Sequence, residues 1–278
     1  MKNKILSICI AGNTNVGKSS FLNKLIGKDI SIVNKKKNTT IESIIGIYTI
    51  KKTQIIFYDT PGLDNNKFNQ NKNIKINFWN SIILSDIILY FLDSSKKFVI
   101  DKNIIKKVNN ENKKIIFVLN KIDLIKKSNL LPIINNLNNN YKIHDIFPIS
   151  VKKEIGIQNL LNSLLKLAFI GDWHNFSNKI TNKSDYFLST EITRNSLLKF
   201  LNQEIPYKLK VENSKWIFVK KKEIVIHQNI LINYIKYKKI ILGKNGMMIK
   251  KIRQHSQKQL CNFFDKKVHL YLKVEIIK

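Results

Sequence analysis

Gly12-Asn13-Thr14-Asn15-Val16-Gly17-Lys18-Ser19 fits G-x-x-x-x-G-K-[ST], a spacing that lets backbone N–H groups surround a polyphosphate. In that setting Lys18 reaches the β and γ groups and the Ser19 hydroxyl ligates Mg²⁺, with Ser20 entering the helix that follows. Asp59-Thr60-Pro61-Gly62 adds a carboxylate that can hold Mg²⁺ through water and a glycine N–H that can approach the γ-phosphate. Asn120-Lys121-Ile122-Asp123 selects the base. Guanine presents N1–H and an exocyclic amine side by side, and one fixed carboxylate, Asp123, can accept both; adenine offers no such pair. Asn120 is expected to brace the phosphate loop, the Lys121 stem to cover base and ribose, and a backbone N–H of Ser150-Val151-Lys152 to meet guanine O6. The chemistry implied is GTP binding with phosphoryl transfer to water.

These groups must be carried by something rigid. Each motif follows a short apolar, β-branched run, and the strands predicted are residues 5–11, 44–51, 54–58, 87–93, 114–120 and 145–149. Alternation with helical patterns, such as 20–26 and 155–169, predicts an α/β, doubly wound, mostly parallel sheet with the motifs at the carboxyl ends of its strands. Residues 64–77, polar and rich in Asn, are expected to form a mobile switch loop. The domains predicted are 1–170, a linker 171–184, and 185–278.

With 278 residues there is room for one large core and a smaller second one. A net charge of +30 and a pI near 10.0 point to a polyanionic partner, nucleic acid or an acidic lipid surface. Ile, Lys and Asn are enriched in every segment, so only localised basic residues carry weight. Cys9 and Cys261 lie far apart without metal-ligand spacing and are expected to be buried, inert thiols. The longest apolar stretch, 81–92, is too short to span a bilayer and is broken by Asp86, and nothing reads as a signal peptide, so a cytoplasmic location is expected.

In the second domain a helix from Asp185 continues through Leu197, Leu198 and Leu201, and Pro206 stops it. Residues 207–212, 216–228 and 230–241 alternate like an antiparallel sheet; a helix 247–264 and a strand 268–277 follow. Gly243-Lys244-Asn245-Gly246, read here as lying between a strand and a helix, is the G-x-x-G of a KH fold, whose glycines let a nucleic acid backbone approach. Lys244, Lys250, Lys251 and Arg253 cluster beside it and are the predicted RNA contacts.

At this point the chain resembles the Era GTPases, which join a P-loop G domain to an α+β, type II KH domain. In the first domain the residues that resemble the family are Gly12 to Ser20, Asn38-Thr39-Thr40, Gly46-Ile47-Tyr48-Thr49, Asp59 to Leu63 and Pro148-Ile149-Ser150; the family-specific part lies in the second domain, Glu191-Ile192, Leu201, Glu204-Ile205-Pro206-Tyr207, Ile241 to Gly246 and Val268-His269-Leu270. The resemblance implies a ribosome assembly factor that binds GTP and GDP, hydrolyses GTP, and binds the 3′ end of 16S rRNA in the 30S subunit. It also implies a monomer in the cytoplasm with peripheral contact at the inner membrane. It assigns Thr40, or in second place Thr39, to close over Mg²⁺, and Asn15 to help bind K⁺. The family's Arg after the switch threonines is Ile41 here and its Ala after the base-loop serine is Val151, which touches fine tuning rather than identity. The chain ends soon after the last strand, so contacts from a family tail are expected to be reduced and RNA affinity lowered.

Leu63, not a glutamine, follows Gly62 and cannot orient water, so intrinsic turnover is expected to be slow and to need an external trigger. The competing readings are another G protein of the same class, an RNA-binding protein whose G domain no longer hydrolyses, and a membrane-surface protein using its basic charge. The single G domain and intact G-x-x-G count against the first; intact Lys18, Ser19, Asp59 and Asp123 count against the second.

Overall fold

The computed structural model describes residues 2–28, 30, 44–63, 72–173, 180–201, 209–220 and 222–277. They divide into two compact units, one reaching Asn182 and one starting at Lys183.

In the first unit β1 (Lys4–Gly12) leads to α1 (Lys18–Ile26), β2 (Ile44–Ile50), β3 (Thr53–Asp59) and α2 (Lys72–Ile83). β4 (Ile87–Asp93), α3 (Lys102–Asn110), β5 (Lys114–Asn120), α4 (Leu130–Asn140), β6 (Asp145–Pro148), α5 (Ile157–Leu167) and β7 (Phe169–Ile170) follow. The sheet order is β2-β3-β1-β4-β5-β6, parallel except for β2, which pairs antiparallel with β3; β7 adds antiparallel to the start of β1. All seven residues of β4 are buried. Burying side chains of this size is worth about 1.5–3 kcal/mol each, which puts such a run at the centre of a covered sheet. Alternate residues serve opposite faces. Cys9, Tyr90 and Phe117 pack with Phe78 and Ile82 of α2 and Ile104 and Val108 of α3, while Phe57 and Phe91 meet Phe21 of α1.

Lys113 ties off α2, donating to the carbonyls of Ile82 and Ser85 at 2.6 Å and also to that of Ile83, a cation where the helix dipole is negative. The predicted switch loop 64–77 is corrected in part: from Lys72 it is already helix, with Ile74 and Phe78 buried, and 64–71 lie outside the described residues. The closing helix stops at Leu167, and Phe169 belongs to β7. Within 171–184, Thr181 is buried against Gly46 of β2, and Ile47 N–H donates to the Ile180 carbonyl at 2.9 Å.

The second unit runs α6 (Asp185–Phe200), β8 (Leu209–Lys220), β9 (Glu223–Ile232), α7 (Ile235–Leu242), α8 (Met247–Phe264) and β10 (Lys267–Ile276). Ser184 caps α6, its hydroxyl accepting from the Phe187 N–H at 3.2 Å. β8 and β9 are antiparallel and β10 joins β9 in parallel, so the expected all-antiparallel sheet is corrected to a mixed one. The strand predicted at 230–241 is also corrected. It splits into the end of β9 and the helix α7, because Tyr237 and Ile241, the buried pair, stand four apart.

Ser189, Thr193 and Ser196 lie at successive turns of α6 and are fully buried, as are Gln228 and Ser256. Gln228 Nε2 donates to Asn213 Oδ1 at 3.0 Å, while Thr193 Oγ1 has no hydrogen-bond partner among the described residues. Thr193→Val keeps the shape and deletes that unsatisfied hydroxyl, and is expected to stabilise the second unit by about 1 kcal/mol. A denaturant midpoint for that unit checks it; a lowered midpoint would mean that the hydroxyl is bonded after all.

Candidate functional site

The phosphate-loop pattern closes between β1 and α1. Gly12, at φ 135°, lies so close to β4 that a Cβ would stand 2.4 Å from the Phe91 carbonyl oxygen. Gly17 caps α1 at φ 104°, and a Cβ there would meet Asn120 Nδ2 at 2.2 Å. Both positions need glycine for conformation and for space. Lys18, 6% exposed, donates from Nζ to the carbonyls of Gly12 at 2.8 Å and Asn13 at 2.7 Å, so its ammonium is drawn across the loop. Val16 is buried beneath the loop, Asn13 and Ser20 are half-buried, and Asn15 is exposed at φ 60°.

Ser19 Oγ donates to Asp59 Oδ2 at 2.7 Å. A hydroxyl and a fully buried carboxylate at that separation form a hard oxygen donor set, which suits Mg²⁺. Among the described residues no group of three or more His, Cys, Asp or Glu could hold a metal by itself. Thr60 turns inward, 1% exposed, and its hydroxyl donates to the Ile10 carbonyl at 2.6 Å, so its side chain anchors β3 to β1. Gly62 lies against the phosphate loop, where a Cβ would stand 2.2 Å from Thr14 Cγ2. Leu63 is buried, its N–H donating to the Gly12 carbonyl at 3.3 Å. Thr39, Thr40 and Ile41 lie outside the described residues.

Asn120 joins the loops, as its type and position at the end of β5 led us to expect. Its Nδ2 donates to the Val16 carbonyl at 2.7 Å, and its Oδ1 accepts from the N–H groups of Lys121 at 2.8 Å and Val151 at 3.1 Å. Asp123 Oδ1 accepts from Ser150 Oγ at 2.6 Å, which fixes the carboxylate, and Lys152 is exposed beside them. Lys121 Nζ donates to the Asn15 carbonyl at 2.8 Å and to Asp93 Oδ2 at 2.5 Å. Sequence reasoning missed Asp93. Burial alone would raise its carboxyl, but hydrogen bonds from Lys121 and Ser95 outweigh burial and hold it below the usual range. By contrast, burial pushes the Cys9 thiol far up, in keeping with an inert sulfur, while Cys261 is half-buried and accepts from the Val268 N–H at 3.3 Å.

In the second unit Gly243-Lys244-Asn245-Gly246 links α7 to α8, not a strand to a helix, which corrects its predicted setting. Gly243 at φ 69° would place a Cβ 2.6 Å from Met248 Cβ, whereas Gly246 at φ 72° faces open space. Gly246 is the N-cap of an 18-residue helix with no acid in its first turn, so the positive end of the dipole stands beside exposed Lys244, Asn245 and Lys250. Lys251 is exposed, whereas Arg253 is half-buried. The Lys251 ammonium sits 5.0 Å over the Phe200 ring, and Arg253 Nη1 donates to Gln257 Oε1 at 2.9 Å. Near them burial, Lys199 and Lys258 lower the His255 pKa, and its Nε2 lies 2.9 Å from Lys199 Nζ while Nδ1 lies 3.0 Å from Ser196 Oγ.

Among the described residues no helix is long and apolar enough to cross a membrane. Residues 7–121 match the family of 50S ribosome-binding GTPases, and residues 204–278 match the KH domain family. GTPase Era of Rickettsia conorii (strain ATCC VR-613 / Malish 7) is 41% identical over 274 residues, 98% of this chain and 80% of that protein. GTPase Era of Buchnera aphidicola subsp. Acyrthosiphon pisum is 38% identical, covering 96% of this chain and 95% of its own. Among solved structures, Era in complex with MgGDPNP and nucleotides 1506–1542 of 16S ribosomal RNA superposes with a TM-score of 0.88 at 28% identity. That match covers 99% of this chain and 94% of the other.

Proposed function

This chain belongs to the Era family of GTPases, a GTPase unit followed by a KH unit, and we propose that it couples GTP hydrolysis to RNA binding in 30S subunit maturation. The RNA is the 3′ end of 16S rRNA, in line with the segment bound by the solved relative. The family description of the first unit mentions the 50S subunit, but that match stops at residue 121 and says nothing of the KH unit, which would read the RNA.

The Asn120 network carries the nucleotide reading. One side chain bonds the phosphate loop at Val16, the base loop at Lys121 and the last loop at Val151, so three segments distant in sequence form one rigid site. In it Lys18 and the N–H groups of residues 12–20 neutralise the β and γ phosphates. Asp123, oriented by Ser150, accepts the paired donors of guanine. Ser19 and Asp59 would hold Mg²⁺, with Thr40 completing the set, and the bound ion supplies charge neutralisation on the transferring phosphoryl group. Gly62 N–H would approach the γ-phosphate. Leu63, directly after Gly62, is buried and apolar and orients no water, which supports slow intrinsic turnover. Asn15, exposed on the loop, would help bind K⁺ as a substitute for an arginine finger.

On the RNA side Gly243 and Gly246 admit the backbone, and Lys244, Asn245, Lys250 and the exposed Lys251 meet its phosphates, with Arg253, half-buried and bonded to Gln257, joining through its remaining donors. The γ-phosphate would act through the switch segments around Thr40 and residues 64–77 and so change how the KH unit is presented to RNA. In this view the protein works as a cytoplasmic monomer. Its +30 charge favours acidic partners, ribosomal RNA first and the anionic face of the inner membrane second.

GTP turnover in K⁺ and in Na⁺, with and without a short RNA from the 16S 3′ end, tests this. Turnover that needs K⁺ and rises with RNA is expected. RNA binding with no turnover under any of these conditions would leave an RNA-binding protein with a silent G domain.

A further inference from the structure

We propose that Asp93 is a positioning residue for the nucleotide, holding Lys121 over the phosphate loop although it touches neither phosphate nor base itself. This rests on the reading above in which the Lys121 stem covers base and ribose.

Asp93 is the last residue of β4, in parallel register with Asn120 at the end of β5, and the Ser94 N–H donates to the Asn120 carbonyl at 2.9 Å. The two strand ends therefore deliver Asp93 and Lys121 to neighbouring positions at the sheet edge where the motif loops gather. Asp93 is 7% exposed, and both its oxygens are engaged. Oδ1 accepts from the Ser95 N–H at 3.1 Å and from Ser95 Oγ at 2.6 Å, which locks the carboxylate, while Oδ2 takes Lys121 Nζ at 2.5 Å. The same ammonium donates to the Asn15 carbonyl at 2.8 Å. A charge-assisted bond to a buried, doubly anchored carboxylate is stronger than one to a solvated partner. It also restrains a side chain with several rotatable bonds, lowering the entropy lost when the stem packs on a nucleotide.

Lys121 itself occupies a left-handed backbone position, φ 67°, uncommon for a residue with a side chain. Such a conformation persists only where its surroundings over-determine it. Here the Asn120 bond to its N–H holds one end and Asp93 holds the other. Nothing in N-K-x-D or in the phosphate-loop pattern calls for an acid at position 93.

The measurement is release of a fluorescent N-methylanthraniloyl GDP, by stopped flow, from the full chain and from Asp93→Asn, Lys121→Met and the double variant. Each single change is expected to speed release about tenfold, and the double variant to be no faster than the faster single, because both break one shared contact. Effects that multiply to about a hundredfold would overturn the coupling. Ser95→Ala takes away the hydroxyl anchor of the carboxylate but keeps the Ser95 N–H bond and the ion pair, and is expected to speed release about two- to threefold, well short of Asp93→Asn; release as fast as from Asp93→Asn would assign the effect to the turn and sink the proposal. Asp93→Ser, smaller and neutral, replaces Asp93→Asn in the cycle should the latter not fold. If Lys121→Met alone leaves release unchanged, the base-site reading fails; if it speeds release and Asp93→Asn does not, only the role of Asp93 fails.

Discussion

Lys18→Ala is expected to lower GTP turnover by on the order of a thousandfold or more, since phosphoryl transfer relies on positioning and charge stabilisation, and this ammonium is the cation built into the loop. The structure adds a second consequence. Nζ also ties the carbonyls of Gly12 and Asn13 together at 2.8 and 2.7 Å, so its removal strips a donor from both, the Gly12 carbonyl keeping its bond from the Leu63 N–H. Such a loss costs about 1–3 kcal/mol where the acceptors stay unsatisfied, enough to lower the melting temperature without unfolding the chain. Single-turnover hydrolysis, with a thermal melt of the nucleotide-free protein, separates the two effects. Turnover near that of the parent chain would remove Lys18 from the reaction and with it the assignment of the loop.

Gly246→Asp should weaken binding of the 16S 3′-end RNA by about ten- to a hundredfold while GTP turnover without RNA stays at the parent level. The choice between the two glycines of the motif matters. At Gly243 any side chain runs into Met248, 2.6 Å from a Cβ, so a loss of binding there would report on packing as much as on RNA. Gly246 faces open space at φ 72°, a left-handed position that Asp tolerates better than most residues. The substitution therefore changes charge more than shape, setting a carboxylate at the helix end where an RNA phosphate would lie. Electrophoretic mobility shifts at two salt concentrations read it: the variant should lose affinity at both, most at low salt. Binding equal to the parent chain would show that RNA does not approach this helix end.

Much of the first unit was legible because its signals are local. Runs of Ile, Leu, Val and Phe, seven residues long and buried on both faces, can only be central parallel strands, and the motifs fall where such strands end. α7 was not legible. Its sequence, IKYKKIIL, alternates apolar and charged residues like a strand over its first four positions, and in a chain rich in Ile and Lys the spacing of Tyr237 and Ile241 does not stand out. The pairing of β9 with β10 was hidden for a different reason: parallel or antiparallel partnership is settled by the path of α8 between them, which no strand sequence records.

By itself the sequence determined which groups are on offer: a phosphate-loop pattern, a carboxylate at Asp59, the N-K-x-D tetrad and the G-x-x-G turn, each a property of residue type at short spacing. Only the tertiary structure decided which of those residues are available and what holds them. It spends the Thr60 hydroxyl on Ile10, sets Lys251 over Phe200, ties Arg253 to Gln257, and brings Asp93 within reach of Lys121. Asn120 and Val16 are 104 positions apart, and their contact exists because β1 and β5 both flank β4 in one register. Such pairings depend on strand order and packing across the whole unit, so no local pattern of residues can encode them.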